Sequence, residues 1–202
     1  NLEKKDLNYN CNDVKIKNNG ILENFTFSNS ADYFKNEINC SLNEQYSSVF
    51  VNGVLLNTDN QNHEIKTKIK HLSENTKSYQ KIKAVVDKNS KAIFQGKIFV
   101  DSKAQKTNGY QLSKAILLNE ESEFNSKPEL EIYADDVKCS HGSTSGSLDE
   151  DAIFYLMSRG LNKNEAKKLL IKGFLTDAIE TITNNEIKKY FLNKLENKIN
   201  EH

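Results

Sequence analysis

The chain of 202 residues carries 28 basic and 28 acidic side chains, so no net field steers it toward nucleic acid or an anionic membrane. No apolar run approaches the ~20 residues of a membrane span. Three irregularly spaced cysteines, Cys11, Cys40 and Cys139, speak for reduced thiols and against a closed four-ligand metal site within one chain.

The opening Asn1-Leu2-Glu3-Lys4-Lys5-Asp6 has neither an initiator methionine nor an apolar signal core, and reads as a segment of a longer protein. Toward Gly146, short strand-like runs recur between Asn, Gly and Ser punctuation. They are Val49–Leu56, His63–His71, Ile82–Val86, Ala92–Val100, Gln111–Leu118 and Leu130–Cys139. The second alternates cleanly, with Ile65, Thr67 and Ile69 on one face and Glu64, Lys66, Lys68 and Lys70 on the other. His63 and His71 share the parity of the isoleucines, which favours hydrogen-bonded, partly buried imidazoles over metal ligands. Many short strands without intervening helices predict a sandwich, a barrel or a β-helix, and periodicity alone does not choose among them. No tight internal repeat is visible.

After Gly146 the pattern becomes helical. Ser147-Leu148-Asp149-Glu150 fits a capping box, followed by Ala152, Ile153, Leu156 and Met157 at helical spacing and an Arg159-Gly160 stop. Asn162 and Glu165 form a second box-like start, and an apolar stripe runs from Leu169 to Ile182. Asn184-Asn185 breaks that stripe before a last amphipathic helix marked by Ile187, Tyr190, Phe191, Leu195 and Ile199. The expected plan is a β-rich body over residues 1–146 and a small helical tail over residues 147–202.

The densest chemistry lies in Glu131–Gly142. On a strand, Cys139 and His141 project to one face, roughly 6–7 Å apart along the chain. A thiolate and an imidazole suit iron or zinc, yet two ligands are half a site. Either a partner supplies the rest, or the two form a nucleophile–base pair without an orienting group, or they are simply a buried Cys and a hydrogen-bonded His. Asp135 and Asp136 face opposite ways and read as turn residues. Gly142-Ser143-Thr144-Ser145-Gly146 lacks the lysine of a nucleotide loop and reads as a flexible connection. No nucleophile elbow, phosphate loop or paired-His helix is present, so the chain is not expected to be an enzyme, and any ATP would be bound by another protein.

The segment Lys127–Gly142, continued by Gly146–Glu150 and Phe154–Gly160, closely resembles the signature of the SufD branch of the SufB/SufD family. Upstream, Phe94–Ile98 and Ala104–Thr107 match the same family, and the likeness is specific from about Val49 to Leu175. It implies a right-handed parallel β-helix followed by a small C-terminal helical domain. It further implies a scaffold role in iron–sulfur cluster assembly within a SufBCD complex. SufB is then the β-helix partner, and SufC is the ATPase that docks on the helical segment. His141, with Cys139 as a second donor, is implied in a transient iron or cluster site shared with SufB, none of it held stably by this chain alone. Phe154, Tyr155, Arg159, Phe174 and Leu175 are the implied SufC contacts. The alternative is a structural partner that positions SufB and couples SufC motion without ligating iron; homodimers of the isolated chain stay open. SufB-like chains carry a cysteine where this chain reads Gln111-Leu112-Ser113-Lys114, which favours the SufD side. Relatives often have Cys where Thr76 stands. The resemblance favours a bacterial cytoplasm, with a plastid-type organelle as the alternative.

Overall fold

The computed structural model describes residues 6–201; the Asn1–Lys5 part of the opening segment lies outside the described residues. Ten strands form two parallel five-stranded sheets. Sheet A has the order β1 (Leu7–Ile16), β3 (Tyr33–Leu42), β5 (Asn62–His71), β7 (Lys91–Val100), β9 (Glu123–Ile132). Sheet B has β2 (Ile21–Ser28), β4 (Ser48–Asn57), β6 (Lys77–Val86), β8 (Thr107–Leu117) and β10 (Val137–Gly146) in that order. Consecutive strands alternate between the sheets, so each pair is one turn of a parallel β-helix with five turns. Sandwich and barrel are thereby excluded.

Every neighbouring pair is in register, so side chains stack in columns along the axis. Residues with the parity of Ile65 and Ile69 point into the lumen, as in the column Cys40–Ile69–Ile98, and are buried. Burying each such side chain stabilises the fold by about 1.5–3 kcal/mol. The predicted alternation of His63–His71 is observed, with Lys66 and Lys68 exposed and Ile65, Thr67 and Ile69 buried. At the corners the chain turns through positive φ at Asn19, Tyr46, Asn60, Asn75, Lys88, Asn89 and Lys106. Four of these seven are Asn, a residue that tolerates the left-handed region, which gives some of the abundant Asn a structural use.

Three expectations fail in detail. Leu130–Cys139 is not one strand: β9 ends at Ile132, a corner follows, and β10 begins at Val137. The corner is held by Lys106 N–H donating to Asp136 O and by Val137 N–H donating to Asp135 O, while Ala134 packs with Val100 and Ala104. The Gly142–Gly146 stretch is the second half of β10, paired residue by residue with Leu112–Ile116, because a ladder needs only backbone groups. The first helix, α1 (Glu150–Ser158), is capped by Asp149, whose carboxylate accepts from the Asp151 and Ala152 amides; Ser147 stands outside it. The box between Asn162 and Glu165 at the start of α2 (Lys163–Ile179) is present as expected, and Asn184 caps α3 (Asn185–Asn200).

The helices share a core with the outer face of sheet B. Val54, Leu56 and Val85 pack against Leu175, Ala178, Ile179, Leu195 and Ile199 in one buried cluster. Lys83, on the same face, sends its ammonium to Asp177 Oδ2 at 2.7 Å and to Phe174 O at 2.8 Å, and lies 4.4 Å from the Phe174 ring centre. No helix among the described residues is long and apolar enough to cross a membrane.

Candidate functional site

Among the described residues, strands β9 and β10 are the last of their sheets, each with a neighbour on one side only. Two adjacent backbone edges of ten residues and the mouth of the lumen are therefore uncovered at this end. The column Val51–Gln80–Gln111–His141 brings His141 to that mouth, and the neighbouring column Val49–Ser78–Gly109–Cys139 does the same for Cys139. The structure thus places both on the lumen side of one strand, as the two-residue spacing predicts.

Their surroundings differ. Cys139 is half-buried over Gly109, where an added Cβ would sit 3.3 Å from the sulfur. Burial pushes the thiol above its ordinary pKa, and the Gly109 N–H donating to it pulls back only part of the way. It is a neutral thiol near pH 7, and ligation of a cation would release its proton. His141 is exposed and its ring has no hydrogen-bond partner among the described residues. One donor is pre-packed and the other waits at the mouth.

Behind them the lumen is polar. Gln111 is 3% exposed, and neither its Nε2 nor its Oε1 has a partner. Gln80, one turn deeper, accepts from the Thr67 hydroxyl at 2.5 Å through Oε1, while its Nε2 is also unpartnered. Ser113 links Ser126 at 2.8 Å and Ser143 at 3.0 Å across the last turns. Gly96 faces Gln111 from sheet A: a Cβ there would lie 2.7 Å from the Phe94 ring and 3.0 Å from Gln111 Nε2. From the sequence, Gly96 and Gln111 stand on strand-like runs and in the family-like segments, with no role at the site assigned to either. Polar residues at the buried parity of β8 were the available signal.

The other candidates are placed elsewhere. His63 is buried, with Nε2 donating to Ala31 O at 2.7 Å and Nδ1 facing Ser28 Oγ at 3.1 Å; burial lowers its pKa. His71 is buried between Thr76 and Ser78, with its pKa pushed down to about 3. Neither has a ring nitrogen to spare. Cys40 is a core residue whose thiol is pushed up to about 11 by burial. Cys11 is exposed on β1, the far edge of sheet A. Asp135 and Asp136 sit exposed at the corner. Among the described residues no three His, Cys, Asp or Glu side chains converge. Cys139 and His141 are donor types that suit iron, and by themselves they do not enclose an ion.

On the helical segment, Phe154 is 73% exposed and Tyr155 56%, with the Arg159 guanidinium 5.3 Å from the Tyr155 ring centre. Phe174 is partly buried against Lys83. Leu175 is fully buried in the shared core, so it has no surface to offer a partner in this fold.

Comparison with known proteins agrees with this architecture. Residues 1–174 match the family model described as SUF system FeS cluster assembly, SufBD core domain. The chain is 31% identical to the iron–sulfur cluster assembly protein SufD of Escherichia coli over 91% of its own length and 44% of that protein. It is 30% identical to SufD of Bacillus subtilis over 72% of the chain and 33% of that protein. It is also 41% identical to the chloroplastic protein ABCI7 of Arabidopsis thaliana, over 52% of the chain and 22% of that protein. The chain spans less than half the length of these relatives. The five-turn parallel β-helix, its helical tail and the match over residues 1–174 lead to one assignment: this chain belongs to the SufB/SufD family of iron–sulfur cluster assembly proteins.

Proposed function

We propose that the chain is the SufD-type half of a cluster-assembly scaffold, working through its uncovered end turn and not by turnover. The observation that carries the reading is the coincidence of Cys139 and His141 with the open mouth at β9 and β10. Unshielded strand edges of this length are templates for pairing with another strand. A SufB-type β-helix docked there would extend both sheets and bring its own donors over the mouth. His141 and Cys139 then contribute two ligands to a transient iron or cluster site, the cargo of assembly, and the partner contributes the remainder. On this reading the sulfur-accepting role belongs to the partner, in keeping with the lack of a cysteine in Gln111–Lys114.

The helical segment, residues 147–202, is the docking site for a SufC-type ATPase, with Phe154, Tyr155 and Arg159 as the exposed contacts. Phe174 and Leu175 act from behind them: Phe174 against Lys83 and Leu175 within the core hold α2 on sheet B. On this reading the work is done in a bacterial cytoplasm or a plastid-type organelle, a setting supported by the likeness to bacterial and chloroplastic proteins.

A second reading, a purely structural partner, draws on the neutral Cys139 thiol and the small donor set. Anaerobic reconstitution of the full complex separates the two. A Cys139→Ser/His141→Ala protein that still pairs with its partners but assembles fewer clusters supports ligation; normal iron and cluster loading supports the structural role.

A further inference from the structure

Gln111 is hard to explain as packing. An amide left without hydrogen bonds inside a protein costs about 1–3 kcal/mol for each unmade group, and a methionine would fill the same space without that cost. Its two polar atoms are both unpartnered although the residue is 3% exposed. The space around it is close-fitting, since a Cβ at position 96 would come within 3.0 Å of its Nε2 and 2.7 Å of the Phe94 ring. Within its column it has two neighbours. Gln80 accepts from Thr67 through its oxygen and keeps an unpartnered Nε2 as a donor toward Gln111. His141, in direct register on the other side, is the exposed imidazole at the mouth. Carboxamide oxygens have two lone pairs, so Oε1 serves a donor from either side.

We propose that Gln111 is the positioning residue of the end-turn site. Its carboxamide oxygen accepts the N–H of one His141 ring nitrogen, fixing the tautomer and turning the other nitrogen toward a metal ion at the mouth. Ligating histidines are generally held by such a bond from the nitrogen that does not bind metal, and its loss typically weakens metal binding 10–100-fold. The inference rests on the reading of His141 as an iron ligand. It gives Gln111 a role within that reading that the Cys–His pair alone does not require.

The test uses the full-length protein in complex with its SufB-type partner, titrated anaerobically with Co2+ as a spectroscopic stand-in for Fe2+. His141→Ala defines the His141-dependent Co2+ site. Gln111→Met, which keeps the shape and removes the acceptor, is expected to weaken that site about 10–100-fold without lowering the melting temperature. Gln111→Glu keeps an acceptor oxygen and is expected to stay close to wild type. The proposal is overturned if Gln111→Met binds Co2+ like wild type while His141→Ala has lost the site, the amide then hosting only a buried water. It is equally overturned if Met and Glu lose binding alike and both melt earlier, which assigns Gln111 to packing. If His141→Ala itself changes nothing, the ligand reading of His141 fails first and this inference falls with it.

Discussion

Acid should unfold this protein through His71. The ring is wholly buried, with Nδ1 2.7 Å from Thr76 Oγ1 and Nε2 2.8 Å from Ser78 Oγ. The Thr76 hydroxyl donates to Ser73 O, which leaves its oxygen to accept from Nδ1–H, and the Ser78 hydroxyl then donates to Nε2. That arrangement serves the neutral ring alone. Burial lowers the pKa from 6.5 to about 3, so the unfolded chain takes up this proton before the folded one does. The contribution is complete above the unfolded value and is lost as pH falls from about 6.5 toward about 3. At pH ~4 the loss from this one group is about 3 kcal/mol, from 1.36 kcal/mol per unit of separation. Urea unfolding from pH ~7 down to pH ~4 measures it. His71→Gln lowers stability throughout, yet its further loss on acidification is about 3 kcal/mol smaller than wild type. His63, also held neutral by burial, and Asp177, whose carboxyl Lys83 holds below the usual range, titrate in both proteins and cancel in the comparison. Identical pH profiles for the two proteins would refute the reasoning.

The remaining predictions concern the lumen and the helical segment. Gly96→Ala forces a methyl group against the Phe94 ring and the Gln111 amide and should cost about 1–3 kcal/mol in chemical unfolding. Lys83→Ala should cost about 2–4 kcal/mol, since the ammonium is buried against Phe174 and Asp177. Asp177→Asn should cost about 1–3 kcal/mol, because it removes the counter-charge of the buried Lys83 ammonium while the Phe174 carbonyl still accepts from it. Replacing Phe154 and Tyr155 by serine should leave the melting temperature unchanged and weaken co-purification of a SufC-type ATPase. Leu175→Ala should instead lose about 2–5 kcal/mol and weaken every partner together, because it opens the core that holds α2.

The strand content of this fold was legible wherever one parity was apolar, as in Ile65–Ile69 and Phe94–Ile98. β1 to β3 escaped notice because Asn24, Thr26, Ser28 and Asn36 occupy lumen positions and blur the alternation. The choice of β-helix over sandwich came from the family likeness, since periodicity says which face is buried and not which strand lies alongside. The corner at Tyr133–Asp136 carries no Gly or Pro, and its one local mark, the turn-forming pair Asp135 and Asp136, did not by itself separate β9 from β10. At the site, the spacing of Cys139 and His141 gave their common face directly. Gln111 and Gly96 were invisible as a pair, because their meeting depends on two strands facing each other across the lumen. The Lys83–Asp177–Phe174 lock joins residues almost a hundred positions apart, and only the packing of α2 on sheet B brings them together.

The account stands most directly on His141. Anaerobic iron–sulfur reconstitution of the full-length protein with its SufB-type and SufC-type partners, comparing wild type with His141→Ala, measures the role assigned to it. The account predicts that His141→Ala forms the complex as wild type does, because the residue is exposed and unbonded in the fold, and that cluster absorption and bound iron fall clearly below wild type. Cluster loading indistinguishable from wild type in an intact complex would contradict it.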